Sequence, residues 1–133
     1  MPIAFSVPGE PVPQPRPRVT TRGGFGRAYV PHAHPVHAYR ASLAAAARDA
    51  GAEPHAEPVS VVIDLVFERP KSHMNKSGVK PSAPRLPRVD LDNVGKAILD
   101  SLNGVAWGDD RQVQRLVIEK TYGTEARTTV RIT

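Results

Sequence analysis

Two aspartates two positions apart, Asp90 and Asp92, followed one helical turn later by Lys96, are the residues of this sequence best suited to chemistry. In an extended lead-in, side chains at i and i+2 leave the same side of the backbone. Two carboxylates so placed repel each other unless solvent screens them or a hard divalent cation sits between them. Magnesium is such a cation: it takes one or two carboxylates together with water and substrate phosphate oxygens. Lys96 would project a positive charge from the same end. The plainer alternative is an acidic helix start complementing the macrodipole, with Lys96 as an i,i+4 partner. Further acids follow in Trp107-Gly108-Asp109-Asp110, just before the apolar run Val113, Leu116, Val117 and Ile118. A carboxylate at the mouth of that strand could return to Asp90 and Asp92 and complete a three-carboxylate site. Otherwise Gly108, Asp109 and Asp110 simply make a turn.

The element that must position the first acids reads as a helix beginning at Asp92 or Asn93. Val94, Ala97, Ile98, Leu102 and Val105 recur at three- and four-residue steps and share one face. Asp92 or Asn93 can cap its start, and Gly104 suits a left-handed stop. The opposite stripe is polar: Asp92, Asn93, Lys96, Asp100 and Asn103.

The whole pattern resembles the RusA family of Holliday junction resolvases, most closely its phage and prophage branch. It comprises Asp90-Leu91-Asp92-Asn93, Lys96, Asp100, Leu102-Asn103-Gly104, Trp107, Asp109-Asp110 and Gln112. The likeness is dense over about residues 85–120 and looser toward Pro15-Arg16-Pro17-Arg18 and Tyr29-Val30-Pro31. It implies a small homodimeric, magnesium-dependent endonuclease of branched DNA, with manganese as a possible substitute. By position, Asp90, Asp92 and Asp110 match the family's metal-binding carboxylates, with Asp109 as the alternate of the adjacent pair. Lys96 matches its essential lysine. Gly95 stands where many relatives carry a larger residue, and it costs a helix roughly 1 kcal/mol relative to alanine.

Composition sets the bounds. The chain has 133 residues, enough for one domain with a real core, and a net charge of +5 that favours a polyanionic partner. The absence of cysteine excludes disulfides and thiolate metal sites. The first residues lack a basic segment followed by an apolar stretch, so no signal peptide is expected, and no segment is long enough to span a membrane. The expectation is a cytoplasmic protein with no membrane partner and no nucleotide cofactor.

Taken in order, Ile3, Phe5 and Val7 alternate as a strand ended by Pro8-Gly9. Residues 10–31 are rich in proline and glycine and carry Arg16, Arg18, Arg22 and Arg27, which makes them either a DNA-binding arm or a solvated loop. A helix is predicted from about Pro35 to Ala50. His32, His34 and His37 lack a nearby acidic ligand and read as exposed side chains. After a linker over 51–58, Val59, Val61, Ile63, Leu65 and Phe67 make the clearest strand, and Val62 and Val66 on its second face suggest partial cover there. Residues 69–89 hold Arg69, Lys71, Lys76, Lys80, Arg85 and Arg88 with no acid, and their prolines deny them regular structure. This basic loop enters directly at Asp90, so Lys76, Lys80, Arg85 and Arg88, with Arg16 and Arg18, are the candidate DNA contacts. Gln112–Tyr122 and Arg127–Thr133 read as the strands of a hairpin around Gly123-Thr124.

The order is therefore strand, helix, strand, helix, strand, strand. The expected fold is α+β, a small mixed sheet with two main helices packed on it, forming a single domain over residues 1–133. The sequence leaves the strand order open. The functional reading is a magnesium-dependent endonuclease resolving four-way junctions or related branched DNA in recombination and repair. The alternatives are a non-catalytic DNA-binding protein and a metal-dependent nuclease of flap DNA or RNA. The adjacency of Glu119 and Lys120 argues against a PD-(D/E)xK nuclease, whose motif needs a residue between them.

Overall fold

The apolar alternation of Ile3, Phe5 and Val7 forms β1 (Ile3–Pro8), with Phe5 and Val7 buried. The computed structural model describes residues 2–133 apart from Arg22 and Phe25. Within the arginine-rich segment, β2 (Arg18–Thr20) pairs antiparallel with β3 (Arg27–Tyr29), so part of that segment is a short ribbon; Arg22 lies outside the described residues. Next come α1 (Val36–Asp49), which buries Val36, Tyr39, Leu43 and Ala47, and β4 (Val59–Glu68). His34 is committed to a local turn, its Nδ1 accepting from the Val36 amide.

The basic loop is more regular than its prolines suggest. It contains a 3-10 turn at Lys71–His73 and a minimal hairpin of β5 (Met74–Asn75) and β6 (Gly78–Val79). Gly78 permits that turn with a positive φ of 119°. α2 (Leu91–Leu102), β7 (Val113–Gly123) and β8 (Arg127–Ile132) complete the chain.

The main sheet has the order β1-β8-β4-β7. β7 lies parallel to β4, and β8 lies antiparallel to both β4 and β1. The expected hairpin of the last two strands is therefore not formed, because β4 stands between them. The reason is apolarity. Val59, Val61, Ile63, Leu65 and Phe67 are all buried, as is Val66 on the second face, so β4 is most stable at the centre with both of its backbone edges paired. The chain from Gly123 passes over the end of β4, where its carbonyl accepts from the Arg69 amide, before entering β8.

The core lies between this sheet and the two helices: Val36 and Leu43 of α1, Val94, Ile98 and Leu102 of α2, and Ile63, Leu65 and Val130 of the sheet belong to one cluster. The other sheet face is largely polar, with Ser6 bonded to Thr129 at 2.6 Å and Arg131 paired with Asp64 at 3.3 Å. Gly95 gives α2 its close approach to β7, since a Cβ there would meet Ile118 Cδ1 at 2.6 Å.

One buried polar contact locks α1 to the sheet. The Tyr39 hydroxyl lies 2.5 Å from Thr128 Oγ1, and both residues are buried. Burial pushes the Tyr39 phenol up to about 12 from 10.0, with the Thr128 bond acting in the opposite direction. Tyr39→Phe is expected to lower the unfolding free energy by roughly 1–3 kcal/mol, the cost of a hydroxyl left without its partner, seen as a lower urea midpoint at an unchanged slope. The raised phenol is neutral in the folded state, so its contribution is complete below pH 10.0 and disappears as pH rises toward about 12. The Phe variant should lack that alkaline component of the stability curve.

Candidate active site

α2 starts one or two residues earlier than the reading of its start at Asp92 or Asn93. Asp90 is the N-cap residue in extended backbone, with φ −73° and ψ 123°, and Leu91 is the first helical residue. Asp92 consequently lies in the first helical turn rather than in an extended lead-in. The Asp90 side chain makes no capping bond, although its residue type suits one. Asp90, Asp92 and Lys96 are all exposed, and none has a side-chain hydrogen bond or ion pair among the described residues. The plainer reading of Lys96 as a helix partner thus loses its partners. Asp92 is unpaired, and Asp100 is held instead by Arg40 of α1 at 3.0 Å. Two exposed carboxylates thus belong to the N-cap and the first turn of one helix.

The acids after α2 are placed differently. Asp109 caps the 3-10 turn Asp110–Gln112: its Oδ1 accepts from the Arg111 amide at 2.8 Å, and its own amide donates to Gln112 Oε1 at 2.8 Å. The Arg111 amide and then its guanidinium hold the Asp109 carboxyl below the usual carboxylate range. Asp110 Oδ1 accepts from the indole Nε1 of the buried Trp107 at 2.9 Å, which orients the group and leaves its second oxygen without a partner among the described residues.

The turn carries these acids away from Asp90 within one chain. β7 runs antiparallel to α2, since Ile118 lies against Gly95 while Lys120 reaches back to Val89. At about 3.3 Å per strand residue, Val113 and Lys120 are roughly 23 Å apart. Asp110, at the start of β7, therefore stands at the opposite end of α2 from Asp90. Among the described residues, no three histidine, aspartate or glutamate side chains are grouped closely enough to hold a metal ion. The expected three-carboxylate cluster is not assembled by a single chain. Asp90 and Asp92 by themselves still offer the hard oxygen donors, free of protein partners, that a magnesium ion takes together with water and phosphate.

The basic segments are tied to the same end of α2. The Gln14 amide donates to the Asn93 carbonyl at 2.8 Å, which anchors the chain leading to the exposed Arg16 and Arg18 beside the helix start. In the loop before Asp90, Arg69 donates to the Pro84 carbonyl at 2.9 Å and lies over the Tyr122 ring at 4.2 Å, and His73 meets that ring edge-on. The anchoring cation is thus internal, while Lys76, Lys80, Arg85 and Arg88 are exposed.

A residue absent from the sequence-based candidates is Lys120. Its ammonium donates to the Val89 carbonyl at 2.8 Å, next to Asp90. The signal was available: Leu116, Ile118, Lys120 and Tyr122 alternate on the face of β7 turned to α2, and a lysine among them has to be explained.

An arginine-rich chain that directs two free carboxylates and a free lysine from one helix end, with basic segments anchored beside them, has the makings of a nucleic-acid hydrolase. The chain belongs to the RusA endodeoxyribonuclease family, whose model matches residues 8–133. It is accordingly an enzyme that hydrolyses DNA phosphodiesters. It is also 32% identical over 138 aligned positions to the uncharacterized protein YqaN of Bacillus subtilis (strain 168), covering 98% of this chain and 94% of that relative. No helix among the described residues is long and apolar enough to cross a membrane.

Proposed function

We propose that residues 1–133 act as a single-domain, magnesium-dependent endonuclease that resolves four-way DNA junctions in recombination and repair, working as a two-fold dimer. The observation that carries the reading is the pair of unpartnered carboxylates, Asp90 and Asp92, beside the unpartnered Lys96 at the start of α2. Asp90 and Asp92 would hold the ion. When bound, a divalent ion supplies neutralisation of phosphate charge and acidification of water. Manganese should substitute, because it accepts the same oxygen donors.

The remaining work belongs to the chain itself. Lys96 presents its ammonium to the anionic oxygens of the scissile phosphate, where charge grows in the transition state. Arg16, Arg18, Lys76, Lys80, Arg85 and Arg88 bind the DNA backbone around the crossover without reading sequence. Asp110 is the proposed third carboxylate, favoured over Asp109 because Asp109 is consumed by its cap while Asp110 keeps a free oxygen. Since Asp110 is remote from Asp90 within the chain, the two would meet across the dimer, each site taking Asp90, Asp92 and Lys96 from one protomer and Asp110 from its partner. Two-fold symmetry then provides one site for each of two opposed strands.

The test is a panel of labelled four-way junction, flap, linear duplex and RNA substrates, each incubated with magnesium and with EDTA. Paired symmetric incisions confined to the junction, and abolished by EDTA while binding persists, are expected. Preferential cutting of flaps or RNA would replace the junction assignment. Cleavage undiminished in EDTA would remove the metal.

A further inference from the structure

Lys120 is a cation on the wrong face of its strand. It pairs with Leu65 of β4, and its neighbours on the same face are Ile118, which packs under Gly95, and Tyr122, which packs under Arg69. An apolar residue would fill this half-buried position at no desolvation cost. A lysine can be kept there by laying its stem along the apolar surface and bringing the ammonium to a polar partner. That partner is the Val89 carbonyl at 2.8 Å, 31 positions away in sequence.

We propose that Lys120 is a positioning residue for Asp90, fixing the peptide that carries this carboxylate so that it is preorganised for the divalent ion. The peptide between Val89 and Asp90 is planar, so holding its oxygen also holds the Cα of Asp90. Val89 and Leu91 on either side pack against the core, and the Lys120 bond is the side-chain hydrogen bond that holds this peptide among the described residues. The Asp90 side chain makes no cap bond, and its own carbonyl receives only a long bond of 3.4 Å from the Val94 amide. The preceding loop is rich in proline. A tether from the sheet to the last residue of that loop adds a directional restraint on the residue that carries the ligand. The inference rests on Asp90 being a metal ligand, as proposed above.

Two effects of the lysine oppose each other. Its charge, near a cation, weakens metal binding; its tether strengthens it. The tether dominates, because outer partners of ligands typically govern affinity by about 10–100-fold.

The experiment is a manganese titration of the full-length protein, with the free ion followed by electron paramagnetic resonance. Wild type, Lys120→Met, Lys120→Arg and Asp90→Asn are compared at matched fold, verified by melting. Lys120→Met should raise the manganese dissociation constant by about 10–100-fold. Its cleavage should be deficient at low metal and recover as metal is raised. Lys120→Arg, which retains donor and charge, should restore affinity to within about threefold. Should the Met variant fail to fold, Lys120→Gln, one bond too short for the tether, carries the same expectation. Manganese binding by Lys120→Met that equals or exceeds wild type overturns the proposal, as does an Arg variant as weak as the Met variant. Weakened binding in Asp90→Asn with normal binding in Lys120→Met defeats only the role of Lys120. Unchanged binding in Asp90→Asn defeats the ligand reading itself.

Discussion

Asp90→Asn and Asp110→Asn chains, each inactive alone, are expected to regain cleavage when they are co-assembled. The argument is geometric. Within one chain α2 and β7 are antiparallel, so Asp90 lies beside Lys120 and Asp110 lies at the far end of the helix. A site that needs both must draw them from two protomers. In a heterodimer of the two variants, one composite site then carries both substitutions and the other carries none. Heterodimers form about half of a random mixture, so roughly a quarter of all sites are whole. Each variant alone should lose cleavage by at least about 100-fold, the order seen when a preorganised electrostatic group is removed. The mixture should recover nicking of one strand, visible on a denaturing gel, without paired incision. No recovery in a mixture shown to contain heterodimers would place each site within one chain, or remove Asp110 from it.

The second large effect is expected at Lys96. Lys96→Ala should lower cleavage by about 100- to 1,000-fold at saturating magnesium, while manganese affinity and junction binding in EDTA stay within about threefold of wild type. An exposed lysine that merely supported the helix would contribute well under 1 kcal/mol, and its loss would leave the rate almost unchanged. The partner such a role requires is missing among the described residues, where Asp100 is engaged by Arg40 and Asp92 has no cation. Single-turnover cleavage measured beside stability separates the two roles. A near-normal rate would return Lys96 to the solvated face of α2.

Much of this protein was legible in its residues because the informative signals are local. The alternation in Val59–Phe67 and the three- and four-residue spacing through α2 follow from which side chains share a face; β4 forms where that period places it, and α2 forms over the marked residues with an earlier start. The family was equally legible, since Asp90, Asp92, Lys96 and Asp109-Asp110 lie within a short stretch of helix and turn. What failed was non-local. Gln112–Tyr122 and Arg127–Thr133 looked like a hairpin because a short link with a glycine joins them. The strongly apolar β4 took the place between them, and strand pairing is decided by the burial available to every strand at once. The helix starts at Leu91, with Asp90 as the last extended residue beside the Val89 carbonyl that Lys120 of β7 holds.

By itself, then, the sequence determined the elements, the basic balance and the identity of the acids, since these depend on residue type and near-neighbour spacing. Only the tertiary structure decided which acids share an end of the molecule. A strand laid antiparallel to the preceding helix carries the acids at its start away from the helix's first residues, and no spacing along the chain records that direction. The same packing brought Lys120 to Val89 across 31 positions, a contact that exists because β7 is held against β4 and α2 lies over it.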